Sequence, residues 1–224
     1  LGYNAQSADD AEGAVGLFDA ALEAGEKKAL LPLGFASLSG NGVPKDLDRA
    51  LEFFTQAVEA KVEGAGAGLL VVGYTLQGGK PSDANAQRAV DLFEEALDAG
   101  ENNALLPLGY AYQSGKGVRA DRQLAEDYFR RGVVAGVEGA GTALRYADEN
   151  AFVEVLQEQM RERGLYDGRA NGRADQRTIS AFLSFCRQNG IQAECRNGPL
   201  HPVAIESFVA KLTGGSADSA SSVE

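Results

Sequence analysis

The 224 residues carry 21 Lys and Arg against 32 Asp and Glu, a net charge of −11. That excess argues against nucleic acid as the main partner, because phosphate binding needs a basic footprint, and against an anionic membrane surface. The apolar content is that of a globular chain, and the longest apolar run, AGLLVVGY, falls far short of the ~18 residues of a membrane span.

The charge is uneven. Residues 1–150 hold 13 basic and 23 acidic side chains, and residues 151–224 hold 8 and 9. The sequence opens at Leu1 without an initiator Met or a signal peptide, so a mature or trimmed product is expected.

From the first helix onward an A…F…A pattern recurs. It appears at Ala14/Phe18/Ala21, Ala50/Phe54/Ala57 and Ala89/Phe93/Ala96, then at Ala125/Phe129 with Gly132 in the last slot. The Phe spacings are 36, 39 and 36 residues. A longer echo overlies this pattern. Residues 21–46 return at 96–121 with 17 of 26 positions identical, and VEGAGAGL at 62–69 returns as VEGAGTAL at 137–144. A fixed period of this kind is the mark of stacked repeats.

Between the A…F…A segments lie LPLGFASLSGNGV, LLVVGYTLQGGKP and LPLGYAYQSGKGV. Each reads as a helix with a central glycine (Gly34, Gly73, Gly109), followed by a Gly-rich turn. Ala50, Phe53, Phe54, Ala57 and Val58 share one helix face. Each unit is therefore a helical hairpin. A mid-helix glycine costs about 1 kcal/mol against Ala, and close helix–helix approach supplies the reason for keeping it. In SGNGVPKD, Asp46 is suited to cap the helix that starts at Leu47. The middle unit, QGGKPSDANAQRA, is read as carrying the three extra residues, so its turn is expected to bulge.

The pattern LG…Y…G.GV..D…A..F..A…G resembles Sel-one-like repeats, relatives of the tetratricopeptide repeat. Leu33, Gly34, Gly40, Gly42, Val43, Asp46, Ala50, Phe54 and Ala57 carry the resemblance. They recur as Leu108, Gly109, Gly115, Gly117, Val118, Asp121, Ala125 and Phe129. It implies a right-handed superhelix whose concave face binds a protein, with the first helix of each hairpin lining that face. Phe35, Tyr74, Tyr110 and Tyr112 fall on those helices and are the candidate partner-binding residues, although most aromatics there belong to the core. Tyr112 replaces Ser37 of the earlier copy and is the preferred exposed anchor.

After Tyr146 the pattern stops. The stretch to Leu212 resembles the peptidoglycan-binding-like domain, a three-helix module. The match runs through Val155, Leu156, Gln157, Gly164, Tyr166, Gly168, Gly172, Thr178, Ile179, Phe182 and Phe185, then Gly198, Pro199, Ala204, Ile205 and Leu212. Ala174-Asp175 departs from the family pattern just before the Thr. The expected division is 1–148 for the repeats, 149–213 for the small domain and 214–224 for a flexible tail.

The polar cluster LYDGRANGRADQR supplies Tyr166, Asp167, Arg169, Asn171, Arg173 and Arg177 as candidate peptidoglycan-binding residues. Tyr166 would stack on a sugar face, the arginines would fork onto peptide carboxylates, and Asn171 would bond acetamido groups. A solvated loop built for turn chemistry is the other reading.

Cys186 and Cys195 are read as one disulfide closing a short loop, with two buried thiols as the alternative. Two Cys and the distant His201 cannot make a four-ligand metal site, and no cofactor is expected. His201, just before Pro202, reads as a helix-start residue. No nucleophile–base constellation can be assembled, and EGAGAGLL lacks the Lys and the preceding strand of a phosphate loop.

The expectation is an all-α protein, a helical-hairpin solenoid followed by a small three-helix domain. Its role is that of a non-catalytic adaptor in the bacterial periplasm, holding a protein partner and contacting peptidoglycan. The alternatives are a structural subunit of a larger periplasmic assembly and a regulator of a cell-wall enzyme.

Overall fold

The computed structural model describes residues 8–79 and 82–214. Among them every regular element is helical: eleven α-helices and three short 3-10 segments. The chain divides into two compact units. The first runs to Ala104 and includes Lys116–Val118; the second comprises Leu105–Gly115 and the chain from Arg119 onward.

The first unit contains α1 (Ala8–Glu23), the hairpin α2 (Leu30–Ser39)/α3 (Leu47–Glu59) and the hairpin α4 (Ala65–Gly78)/α5 (Asp83–Asp98). The expected capping holds. The Asp46 carboxylate accepts from Arg49 N at 3.0 Å and the Ser82 hydroxyl from Asn85 N at 3.1 Å, so each second helix starts on a satisfied N–H. Gly40 closes α2 in the left-handed region, its N–H donating to Ala36 O at 2.8 Å.

The mid-helix glycines have the cause their spacing suggests. A Cβ at Gly34 would run into the Phe54 ring, and one at Gly73 into Phe93. The small residue lets the hairpin close until the Phe of the second helix is fully buried. A Cβ at Gly68 would also run into the Phe54 ring, so this Phe packs against glycines of two first helices, α2 and α4. The EGAGAGLL stretch is thus helix packing.

The extra length of the middle repeat does not sit in its turn. Gly34 to Phe54, Gly73 to Phe93 and Gly109 to Phe129 are each 20 residues apart. The three additional residues fall between Phe54 and Gly73 and lengthen the start of α4, which has 14 residues against 10 in α2. Gly64, in the left-handed region, begins α4, where α2 is preceded by a 3-10 turn at Lys27–Ala29. The expected bulge centred on Lys80 and Pro81, which lie outside the described residues.

The second unit contains the hairpin α6 (Leu105–Ser114)/α7 (Arg122–Val134), then α8 (Ala140–Ala147), α9 (Glu149–Glu162), α10 (Gln176–Gln188) and α11 (Pro202–Gly214). Asp121 caps α7 by accepting from Gln123 N and Leu124 N, both at 3.0 Å. Gly109 lies under Phe129, as in the earlier hairpins. Phe152, Phe182, Phe185 and Phe208 are fully buried, with the Phe185 and Phe208 rings 4.9 Å apart.

Helix α11 packs on α8. Gly141 admits Ile205 and Val209. The Glu206 carboxylate accepts from Gly139 N at 2.8 Å, and from both the N–H and the hydroxyl of Thr142. A carboxylate here meets the positive end of α8 and satisfies its free N–H groups. Helix α11 ends at Gly214, so the first residue of the expected 214–224 tail is helical; residues 215–224 lie outside the described residues.

Candidate functional site

In α2, α4 and α6 the mid-helix glycine packed against the hairpin's Phe is followed directly by an aromatic. Phe35 is 41% exposed, Tyr74 46% and Tyr110 48%. Consecutive residues on a helix are rotated by about 100°, so with the glycine against the partner helix its neighbour turns toward solvent. Each aromatic leans on the buried Phe of its own hairpin, with centroid distances of 4.9 Å for Phe35–Phe54 and 5.3 Å for both Tyr74–Phe93 and Tyr110–Phe129. The rings are thereby held rigid while one face stays open. Burial pushes the Tyr74 phenol above its ordinary value of 10.0, so it stays a neutral donor at physiological pH. Tyr112, the preferred anchor by sequence, is half-buried and stacks on Tyr128 at 5.6 Å. The Ser37-to-Tyr112 difference is taken up in packing, and Tyr110 is the more open ring.

The six polar candidates between α9 and α10 do not form one cluster. Arg169 and Asn171 line a polar cleft of about 510 Å³ together with Glu126, Arg130, Asp148 and Glu154. Tyr166, Asp167 and Arg177 line a second, shallower depression of about 320 Å³, and Arg173 lines neither. Tyr166 is only 5% exposed. Its ring covers Gly168 and its hydroxyl donates to Arg169 O at 3.2 Å, so it props the loop from within and offers no open stacking face. The other five are exposed.

Gln157 holds the loop. It is fully buried; its Oε1 accepts from Asn171 N at 2.8 Å and Gly172 N at 3.1 Å. Its Nε2 donates to Thr178 Oγ1 at 2.8 Å and Arg173 O at 2.9 Å. A buried amide with all these partners fixes the backbone on either side of Arg173. Asp175 accepts from Thr178 N at 2.9 Å, and the hydrogen bonds from the Thr178 N–H and hydroxyl hold its carboxyl below the ordinary 3.8. The Ala174-Asp175 departure therefore keeps a capped helix start.

In the polar cleft, Arg130 bridges Glu126 and Glu154, each at 2.9 Å. Burial opposes its charge, yet the two carboxylates more than offset that and leave its pKa above the usual value. Asp148 caps α9 through Ala151 N at 3.1 Å. The cleft thus combines a fixed ion-pair triad with the exposed Arg169 and Asn171, a set that can bond carboxylates and amides. Arg130, Glu126 and Glu154 escaped the sequence reading because nothing in the linear pattern joins α7 to α9.

Cys186 and Cys195 are bonded, linking α10 to the 3-10 turn at Glu194–Asn197. Among the described residues no group of three or more His, Cys, Asp or Glu could hold a metal ion, and no helix is long and apolar enough to cross a membrane. His201 immediately precedes α11, its carbonyl accepting from Ile205 N at 3.0 Å.

Paired helices with a constant glycine-to-Phe interval, a shared glycine–Phe lock and one open aromatic per hairpin define a helical-repeat protein. Residues 28–62, 67–101 and 103–133 match the family model described as Sel1 repeat. Two solved structures are similar. One is a Sel1 repeat protein from Oxalobacter formigenes, 24% identical, covering 58% of this chain and 96% of that one, with a TM-score of 0.47. The other is a protective antigen present in uropathogenic Escherichia coli strains and displaying an SLR fold. It is 20% identical with a TM-score of 0.54, and covers 99% of this chain. The chain spans 47% of that antigen's length, and the likeness shows the fold. No curated protein matches the sequence.

Proposed function

We propose that the chain is a non-catalytic protein-binding scaffold of the bacterial envelope. The observation that carries this reading is the recurrence of an open, rigidly backed aromatic at one position of each hairpin: Phe35, Tyr74 and Tyr110. Large rings already fixed by packing lose little freedom on binding, which is why such residues dominate interface energetics. The Cys186–Cys195 bond supports an address outside the reducing cytosol, here the periplasm.

The test is co-purification from the native host, comparing the chain with a Phe35→Ala, Tyr74→Ala, Tyr110→Ala variant. Loss of the captured proteins with an unchanged circular dichroism spectrum is the expected result. An identical captured set would overturn the reading.

The cleft at Arg169 and Asn171 supports a second contact, with peptidoglycan, whose stem peptides carry carboxylates and whose sugars carry acetamido groups. In this reading residues 149–213 act as the wall-contacting module, and Asp167, Arg173 and Arg177 flank the contact. Co-sedimentation with insoluble peptidoglycan, weakened by Arg169→Ala with Asn171→Ala, is expected. A chain that stays in the supernatant belongs instead to a periplasmic assembly without wall binding, or regulates a cell-wall enzyme.

A further inference from the structure

The polar cleft of about 510 Å³ holds opposite charges that do not neutralise each other. Its lining sets two arginines, Arg130 and Arg169, against three carboxylates, Glu126, Asp148 and Glu154. Arg130 is engaged by Glu126 Oε1 and Glu154 Oε2, so that triad keeps one negative charge in excess. Asp148 uses its Oδ1 to cap α9 at Ala151 N. Among the described residues no cation pairs with Asp148, and no carboxylate pairs with Arg169.

The fold fixes this arrangement. A Cβ at Gly172, where φ is +70°, would meet Asn150 O at 2.7 Å, so the loop lies directly on the start of α9. Through its Oδ1, Asn171 accepts from Arg173 N at 3.0 Å and from Gln157 Nε2 at 3.3 Å, which leaves its own amide N–H groups to the cleft. Arg169 and Asn171 Nδ2 thus form a set that only donates. Asp148 Oδ2, Glu126 Oε2 and Glu154 Oε1 form a set that only accepts. A ligand carrying a carboxylate alone would leave the accepting set unneutralised beside its own charge.

We propose that the cleft binds a free amino-acid end, with an ammonium and a carboxylate on one carbon. Arg169 and Asn171 take the carboxylate; Asp148 and the open oxygens of the triad take the ammonium. The proposal rests on the peptidoglycan reading above and names the part recognised, the free end of a stem-peptide diamino acid. An amide cross-link at that nitrogen removes its charge, so the cleft selects stems that are not cross-linked there.

The probe is N-acetyl-L-Ala-γ-D-Glu-meso-diaminopimelate, whose only ammonium shares a carbon with a free carboxylate. It is titrated into the full chain by isothermal calorimetry. Saturable binding is expected. It should weaken by about tenfold or more, at least ~1.4 kcal/mol, when that ammonium is acetylated, and likewise when that carboxylate is amidated. Asp148→Asn keeps an oxygen to cap α9 and removes the charge, so in this variant acetylation should cost less than about twofold. Arg169→Gln should do the same for amidation. A residue that merely supports the loop would not move either coupling. No saturable binding, blocked forms that bind as well as the free one, or costs unchanged by both substitutions overturns the proposal. Co-sedimentation with insoluble peptidoglycan separates it from the reading it rests on. A chain that sediments yet ignores the tripeptide refutes the amino-acid end and leaves wall binding standing. A chain that binds the tripeptide yet stays in the supernatant supports the amino-acid end and gives the cleft free peptides instead of the wall.

Discussion

Helices α1 and α8 are two answers to the same physical problem. A repeat helix buries its apolar face only against a neighbour, and these two helices differ in the neighbour that the described residues supply. At α8 the neighbour is supplied from within: α11 packs Ile205 and Val209 over Gly141, and Glu206 caps the helix start. The equivalent Gly66 instead receives Ala96, Ala99 and Glu101, from the end of α5 in its own hairpin and the turn after it, so α11 meets α8 where a hairpin's second helix would. At α1 no described element plays that part, and Phe18 stays half-buried. The contrast predicts unequal costs for one substitution. Phe54→Ala should destabilise by ~3–5 kcal/mol, the range for a fully buried ring. Phe18→Ala should lose ~1–2 kcal/mol, in proportion to its lesser burial. Urea denaturation of both variants decides it, and equal losses would mean that α1 is as well covered as α3.

The covered end can be opened. Gly141→Val places a branched side chain against Ile205 and Val209, an overpacking worth ~1–3 kcal/mol. Its signature is faster hydrogen exchange across α11 as that helix lifts from α8. Glu206→Ala removes the cap alone and leaves the Gly139 and Thr142 N–H groups without their partner; a loss of ~1–2 kcal/mol is expected from capping and helix-dipole contributions together. Glu206→Gln, which keeps the oxygen and loses the charge, should fall between wild type and Ala in a thermal melt.

The same contrast shows what a linear pattern can carry. The hairpins are legible because two independent signals coincide: the apolar period marks the helix face, and a glycine that weakens the helix has to be repaid by packing against a Phe. The three extra residues of the middle repeat are visible as a Phe spacing of 39, but that spacing alone does not say which connection holds them. Only the constant glycine-to-Phe interval places them before Gly73. The loop after Tyr166 is legible as polar and turn-rich, yet its support is not. Gln157 anchors it from 14 residues earlier at Asn171, and Arg130 reaches Glu154 across 24. Tyr166 reads as a surface ring because its neighbours are polar; Gly168 leaves the space into which it folds. The covering of α8 by α11 rests on Thr142 and Glu206, 64 residues apart, and no period links them.

Helix α1 differs from its counterparts inside the helix as well. It carries Gly13 and Gly16 where α3 has Arg49 and Glu52, and α5 has Arg88 and Asp91. A Cβ at either glycine would meet nothing within 4 Å, and neither takes a positive φ. No packing demands these glycines, in contrast to Gly34 or Gly141. They lower helix propensity by close to 1 kcal/mol each against Ala, in the helix whose Phe18 is only half-buried. Gly16→Ala should therefore stabilise the protein by ~0.5–1 kcal/mol, read as slower hydrogen exchange confined to α1, and Gly13→Ala should do the same. If exchange across α1 were the same in both Ala variants as in the wild type, intrinsic helix propensity would not be what limits this helix, and its half-buried face alone would account for the contrast with α3.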